Sequence, residues 1–280
     1  MNPYIRLMRL DKPIGIYLLL WPTLWALFLA AEGLPSISLL IIFISGVILM
    51  RTAGCVINDY ADRKIDKYVE RTKYRPITSG EIKPSYALVL FISLICIAFV
   101  LVLFTNWLTI KISFIAASLA TLYPFTKRWT SLPQIFLGIA FAMSIPMAFS
   151  ASINYVPDSA WWLFSATVVW TFIYDTMYSM ADREDDLKIG VKSSAILLGK
   201  YDIFTIAILQ IILLLLLIKV SEIFNLGYFF YFSIIFSGFI MIYHQFLINN
   251  REKDKCFKAF LNNHYLGMVI FAGIAFSVVM

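Results

Sequence analysis

Nine nearly continuous apolar stretches run through the chain, at about 13–32, 37–58, 85–105, 109–126, 131–153, 158–181, 202–218, 223–249 and 258–280. Each is close to the roughly 20 helical residues that cross a bilayer core. Their apolar positions do not alternate, and lipid offers no partner to an open sheet edge, so helices are predicted and strands are not. Pro22, Pro124, Pro133 and Pro146 fall in or at the ends of these runs, where a helix can kink if neighbours satisfy the freed backbone groups. The longer polar segments are 59–84, 182–201 and 249–258, and the other connections are short. The pattern predicts an all-α, polytopic membrane protein of about nine transmembrane helices. With no linker or shift in composition, residues 1–280 read as one integral-membrane domain.

Composition supports this. Of 280 residues, 61% are hydrophobic and only 14% charged, and the chain holds 24 Phe, 15 Tyr and 7 Trp. A soluble domain of this length could not bury so much apolar surface. The net charge of +6 would suit a nucleic-acid ligand, but its placement argues against one. Of 23 Lys and Arg, only Lys111 and Lys219 belong to the connections on one side of the nine spans. The rest crowd the other side, which the positive-inside rule makes cytoplasmic. This predicts an N-terminus inside, a C-terminus outside and most basic residues as topology signals. The first apolar stretch is span-length and lacks a small-residue cleavage site, so no cleavable signal peptide is expected. Cys55, Cys96 and Cys256 suggest small core residues, not disulfides or a metal cluster.

Two acidic clusters stand out, "NDYADRKID" at 58–66 and "DREDD" at 182–186. Asp62–Asp66 and Asp182–Asp186 share the spacing Asp-x-x-x-Asp, one helical turn, about 120 residues apart. At about 100° per residue, Asp59, Asp62 and Asp66 lie within roughly 60° of one another if the helix continues, and Asp175, Asp182 and Asp186 lie closer still. Like charges one turn apart destabilise a bare helix, which favours a bound cation. The first cluster follows the second span and the second follows the sixth, which suggests two four-helix halves plus one helix. Four spans is an even number, so both clusters meet at the same end. Carboxylates are hard ligands suited to Mg²⁺ shared with substrate phosphates. Lys127, Arg128, Arg63, Arg71 and Arg75 face the same side, and acids, metal and bases together point to a diphosphate. Asp175 lies about two turns inside its span, where an ionisable group is costly and by default functional.

These motifs, with "RLDKPIGIYLLLWPTLWAL" (9–27), "RPITSG" (75–80), "LYPFTKRWTSLPQ" (122–134), "YDTMYSMADREDDLKIGVKSSAILLG" (174–199) and "CFKAFLNNHYLGMVIF" (256–271), resemble the intramembrane aromatic prenyltransferases. Within that family they are most similar to the branch serving ubiquinone biosynthesis. The resemblance covers nearly the whole chain. It implies nine helices around a central cavity, with cytoplasmic cap loops at about 59–84 and 182–201, in a bacterial inner membrane. It also implies Mg²⁺-dependent transfer of a polyprenyl group from polyprenyl diphosphate to the ring carbon ortho to the phenol of 4-hydroxybenzoate. One departure is Met177, where family members are expected to carry Gln.

On that basis Asp59, Asp62 and Asp66 are expected to hold one metal ion and Asp182 and Asp186 a second. Lys127 and Arg128 would grip the diphosphate, with Asn58 supplying an amide contact. Tyr123, Tyr174 and Tyr178 are candidates to face a developing allylic cation. Arg51 or Arg9 would bind the acceptor carboxylate, and Asp175 would orient a ligand, take a proton or join the metal site. The membrane lipid gives the prenyl tail its route in. The nearest alternative is a sibling enzyme acting on a naphthoate, a homogentisate-like ring or haem. A cation transporter is more remote, because alternating access requires polar groups reachable from both sides and only Glu32, Asp158 and Glu222 fall on the other.

Overall fold

The structure, a computed structural model, describes residues 2–64, 66–68, 72–126 and 129–280, the side chain of residue 189 apart. The described helices are α1 (Pro3–Leu7), α2 (Ile14–Ala31), α3 (Ile37–Asp62), α4 (Pro84–Val102), α5 (Trp107–Thr126) and α6 (Pro133–Ala142), followed by α7 (Ser144–Ile153), α8 (Asp158–Ile189), α9 (Ser194–Leu198), α10 (Asp202–Ile223), α11 (Tyr228–Ile248) and α12 (Lys253–Val279). No strand occurs among the described residues.

Among the described residues, eight segments are long and apolar enough to cross a membrane, with α6–α7 and α9–α10 each counted as one. The one predicted run not among these eight is the sixth, which forms α8, 32 residues and so about 48 Å long. Its hydropathy is diluted by Asp158, Asp175 and several Thr and Trp, because much of its surface faces protein: Trp170, Tyr174 and Met177 are all buried.

Local chemistry sets the ends of these helices. Ser36 caps α3 by accepting from the Leu39 amide. Prolines open α4 and α6, where a missing N–H costs nothing. Glu32, Asn154 and Gly190 end α2, α7 and α8 in the left-handed region. The run predicted as one helix over 131–153 breaks at Met143. Pro146 has no N–H for the Ala142 carbonyl and its ring crowds that oxygen. The sixth run continues past 181, so residues 182–189 are the last two turns of α8 and not part of a loop.

The helix α8 is central, packing against α6, α7, α10, α12 and α2. The last helix, α12, lies on α2, α8 and α11 and so joins the two groups of four spans. Lipid tails are as apolar as Leu, so close contact and internal hydrogen bonds hold such helices together. At Gly138 a side chain would come within 3.0 Å of the Val168 carbonyl oxygen, which lets α6 approach α8. Trp25 and Trp170 stack 5.2 Å apart, and their indoles donate to α12, at Gly267 O (3.0 Å) and Asn263 Oδ1 (3.1 Å).

Candidate active site

A cavity of about 1200 Å³ opens inside the helices and is lined from α2 to α8 and from α12. One end carries the acidic motifs; the other is walled by apolar side chains such as Phe99, Phe114, Leu137, Phe141 and Met147.

The first motif reaches the cavity through the last turn of α3, which places Asn58, Asp59 and Asp62 on its wall. The helix ends at Asp62, so Asp66 is not aligned by a continuing helix as the spacing predicts. A single 3₁₀ turn, Asp66–Tyr68, carries it instead. The Thr72 hydroxyl donates to the Asp66 carbonyl oxygen (3.1 Å), and one nitrogen of Arg75 reaches both Asp66 Oδ2 (2.8 Å) and Asp59 Oδ1 (3.0 Å). Arg9 donates to the same Asp59 oxygen at 2.9 Å. Asp59, Asp62 and Asp66 are all buried, at 1%, 4% and 5% exposure, so these charges require compensation. Burial raises the Asp66 carboxyl above its ordinary range, Arg75 opposes that, and the neighbouring Asp62 and Asp59 add to it. Burial is the largest influence on Arg9 and works against its cation, yet Asp59, Cys55 and Tyr178 together outweigh it and hold the guanidinium above its ordinary value.

The second motif lies wholly on α8, and Asp175, Asp182 and Asp186 all line the cavity. Its Arg183 turns away: the guanidinium donates to Ala195 O (2.8 Å) and pairs with the buried Asp202. Among the described residues no three acidic, His or Cys side chains form a ready-made metal cage. The donor set nonetheless fits Mg²⁺, which prefers one or two carboxylates, several waters and substrate phosphate to an all-protein cage.

Arg9, Arg51, Arg75, Tyr123, Tyr174 and Tyr178 also line the cavity. Arg63, expected at the diphosphate, does not. It caps α3, folds back to donate to the Tyr60 carbonyl and lies 4.2 Å over that ring, so it belongs to the helix end. Arg71, Lys127 and Arg128 fall outside the described residues. Arg9 and Arg51, equivalent candidates by sequence, separate here. Arg9 is committed to Asp59, whereas no described carboxylate is within ion-pair distance of Arg51, whose Nη1 donates only to Cys55 Sγ (2.9 Å) while its buried Nε has no partner.

Lys12, Lys192, Phe257 and Phe260 join the lining without having been singled out from sequence. The two phenylalanines, i and i+3 at the start of α12, sit beside Tyr178, with Phe260 4.9 Å and Phe257 6.2 Å away between ring centres. Their spacing put them on one helix face, but only the packing of α12 on α8 shows which. At the expected Gln position, Met177 is buried and its sulfur accepts from Asn263 Nδ2 at 3.5 Å. Of the cysteines, Cys55 and Cys256 are buried as expected and Cys96 is exposed.

The sequence profile of the UbiA prenyltransferase family matches residues 19–268. The chain belongs to this family. A 4-hydroxybenzoate octaprenyltransferase of Vesicomyosocius okutanii is 65% identical over 97% of this chain and 99% of its own length. Another protein of that name, from Saccharophagus degradans, is 58% identical over 97% and 91%. Among solved structures, a UbiA homologue from Aeropyrum pernix without ligand superposes with a TM-score of 0.81 at 24% identity, covering 93% of this chain and 96% of that one. A UbiA homologue from Archaeoglobus fulgidus, bound to GPP and Mg²⁺, gives 0.76 at 17% identity over 99% of each chain. The fold of this UbiA-family chain is thus shared with proteins of far lower sequence identity.

Proposed function

We propose that this chain transfers a polyprenyl group from polyprenyl diphosphate to the carbon ortho to the phenol of 4-hydroxybenzoate, with Mg²⁺, in ubiquinone biosynthesis. The carrying observation is that two Asp-x-x-x-Asp motifs, one bridging the end of α3 and the turn after it and the other on α8, line one cavity whose far end is apolar. The names of relatives at 65% and 58% identity support the acceptor, and the archaeal homologue bound to GPP and Mg²⁺ supports the donor and the metal.

In this reading Asp59, Asp62 and Asp66 hold one ion and Asp182 and Asp186 another. The metal, when bound, supplies Lewis-acid stabilisation of charge on the departing diphosphate. Arg75, at the mouth of the first motif, shares its fork between those carboxylates and the diphosphate, with Arg71, Lys127, Arg128 and Lys192 adding charge. Cleavage of the allylic carbon–oxygen bond sends its electron pair onto the diphosphate. The ring carbon of the acceptor then bonds to the allylic carbon, and the displaced ring proton passes to a base. Asp175 serves as that base, within electrostatic reach of Arg51, Asp182 and Asp186. Tyr178, Phe257 and Phe260 present aromatic faces to the cation and exclude the water that would quench it. Arg51, with spare donors, holds the acceptor carboxylate. The chain lies in a bacterial inner membrane with this end toward the cytoplasm.

The test is a product assay: membranes carrying the protein, Mg²⁺, polyprenyl diphosphates of several lengths, and 4-hydroxybenzoate or a hydroxynaphthoate. The expected product by mass is ortho-prenylated 4-hydroxybenzoate. A prenylated naphthoate with untouched 4-hydroxybenzoate would overturn the assignment in favour of a sibling enzyme.

A further inference from the structure

Gly15 is the second residue of α2 and is buried against the cavity. A Cβ built on it would fall on the guanidinium of Arg51, 2.6 Å from Cζ. Real Cβ atoms do not come so close, so Arg51 occupies the space that the missing side chain leaves. Within its own helix Arg51 has one link, Nη1 to Cys55 Sγ one turn on. That weak thiol contact cannot fix a four-torsion side chain by itself.

We infer that Gly15 is a positioning residue which, by lacking a side chain, seats the Arg51 guanidinium where it meets the acceptor carboxylate. This rests on the proposed role of Arg51. The obstructed atoms are the far end of a flexible side chain, and Gly15 lies in the first turn of α2, where Ala suits the helix at least as well. An added methyl therefore moves the guanidinium and leaves the helix packing in place. The bidentate geometry that a guanidinium offers a carboxylate is lost with small displacements. The site then discriminates less well between an acceptor bearing a carboxylate and a phenol lacking one.

The experiment compares wild type, Gly15→Ala, Arg51→Ala and the double variant in detergent with Mg²⁺. It measures KM for 4-hydroxybenzoate, KM for polyprenyl diphosphate, and the kcat/KM ratio between 4-hydroxybenzoate and the same phenol without a carboxylate. Gly15→Ala is expected to raise KM for 4-hydroxybenzoate and to erode that ratio by about ten- to a hundredfold, as for an ångström-scale misplacement, while KM for the diphosphate stays within twofold. The double variant should be no worse than Arg51→Ala, because the methyl then meets no guanidinium. If Arg51→Ala abolishes discrimination and Gly15→Ala leaves it intact, the inference on Gly15 fails. If Arg51→Ala leaves discrimination intact, the carboxylate role of Arg51 fails first. Should Gly15→Ala unfold, recovery of folding in the double variant supports the contact, and continued unfolding refutes it.

Discussion

Arg63 and Arg183 follow an aspartate in the same Ala-Asp-Arg string, yet the fold gives them different tasks. Arg63 closes its own helix end on Tyr60, while Arg183 leaves α8 to meet Asp202, the first residue of α10. Asp202 is fully buried and also receives Arg251 through Nε (3.1 Å) and Nη2 (2.8 Å), with Nη2 donating in addition to Lys200 O (2.9 Å). One carboxylate thus ties the turns of α8 that carry Asp182 and Asp186 to α10 and to the α11–α12 connection. Replacing it with Ala strands two guanidiniums. The cost for a fully buried pair is about 3–5 kcal/mol; because both arginines partly reach water, about 2–3 kcal/mol is expected for Asp202→Ala. Thermal unfolding in detergent checks this, and an unchanged midpoint would refute the clamp. In contrast, Asp62→Ala and Asp182→Ala should fold normally and lose at least about a hundredfold in turnover, beyond the 10–100-fold typical of residues that merely orient a metal ligand. Near-normal rates in either purified variant with Mg²⁺ would remove these carboxylates from the site.

The helices α2, α8 and α12 meet where Gly267 faces both Trp170 and Trp21, and a Cβ there would lie 2.6 Å from an atom of each indole. Rigid aromatic rings held on both sides cannot yield as a flexible side chain can. Gly267→Ala is therefore expected to destabilise by about 1–3 kcal/mol through overpacking. A shift in denaturation midpoint, with Trp fluorescence reporting the displaced rings, checks it; no shift would mean that α12 slides freely on α8. This contact also marks how far the sequence reads at the level of elements. Run length and apolarity locate each span, including α8 despite its diluted hydropathy, since they depend only on the bilayer's thickness. The break at Met143 was signalled by Pro146, but the extension of α8 to Ile189 was not, because acidic turns beyond the bilayer carry no apolar signature. The alignment of Asp182 with Asp186 was legible from spacing alone. The return of Asp66 through a 3₁₀ turn was not, as it depends on Arg75 and Thr72 from a later loop. Likewise Phe257, Phe260 and the Gly15–Arg51 contact are tertiary facts, invisible until α12 and α2 are placed beside α8 and α3.

For the whole molecule, the ends of the helices sort by charge. The connections around 33–36, 103–106, 154–157 and 224–227 contain no Lys or Arg. Those between α1 and α2, α3 and α4, α5 and α6, α8 and α10, and α11 and α12 include in their sequence Arg9, Arg75, Lys127, Lys192 and Arg251 respectively. Both aspartate motifs lie at this basic end, so the cavity has its charged end among the basic connections and its apolar end deeper along the spans. The positive-inside rule keeps basic loops on the cytoplasmic side, and the orientation proposed on that ground would place the mouth where a diphosphate made in the cytoplasm enters. Single cysteines in an otherwise Cys-free variant test this. Cysteine at Ser79 or Asn250 should react with a membrane-impermeant maleimide only in inverted vesicles, and cysteine at Thr105 or Asn225 only in intact cells stripped of their outer layer. Labelling of Ser79→Cys and Thr105→Cys from the same side would break the even-span arrangement that brings the two motifs together. Labelling of both pairs with the sides reversed would keep the arrangement and turn the site outward, separating the bundle's geometry from its orientation.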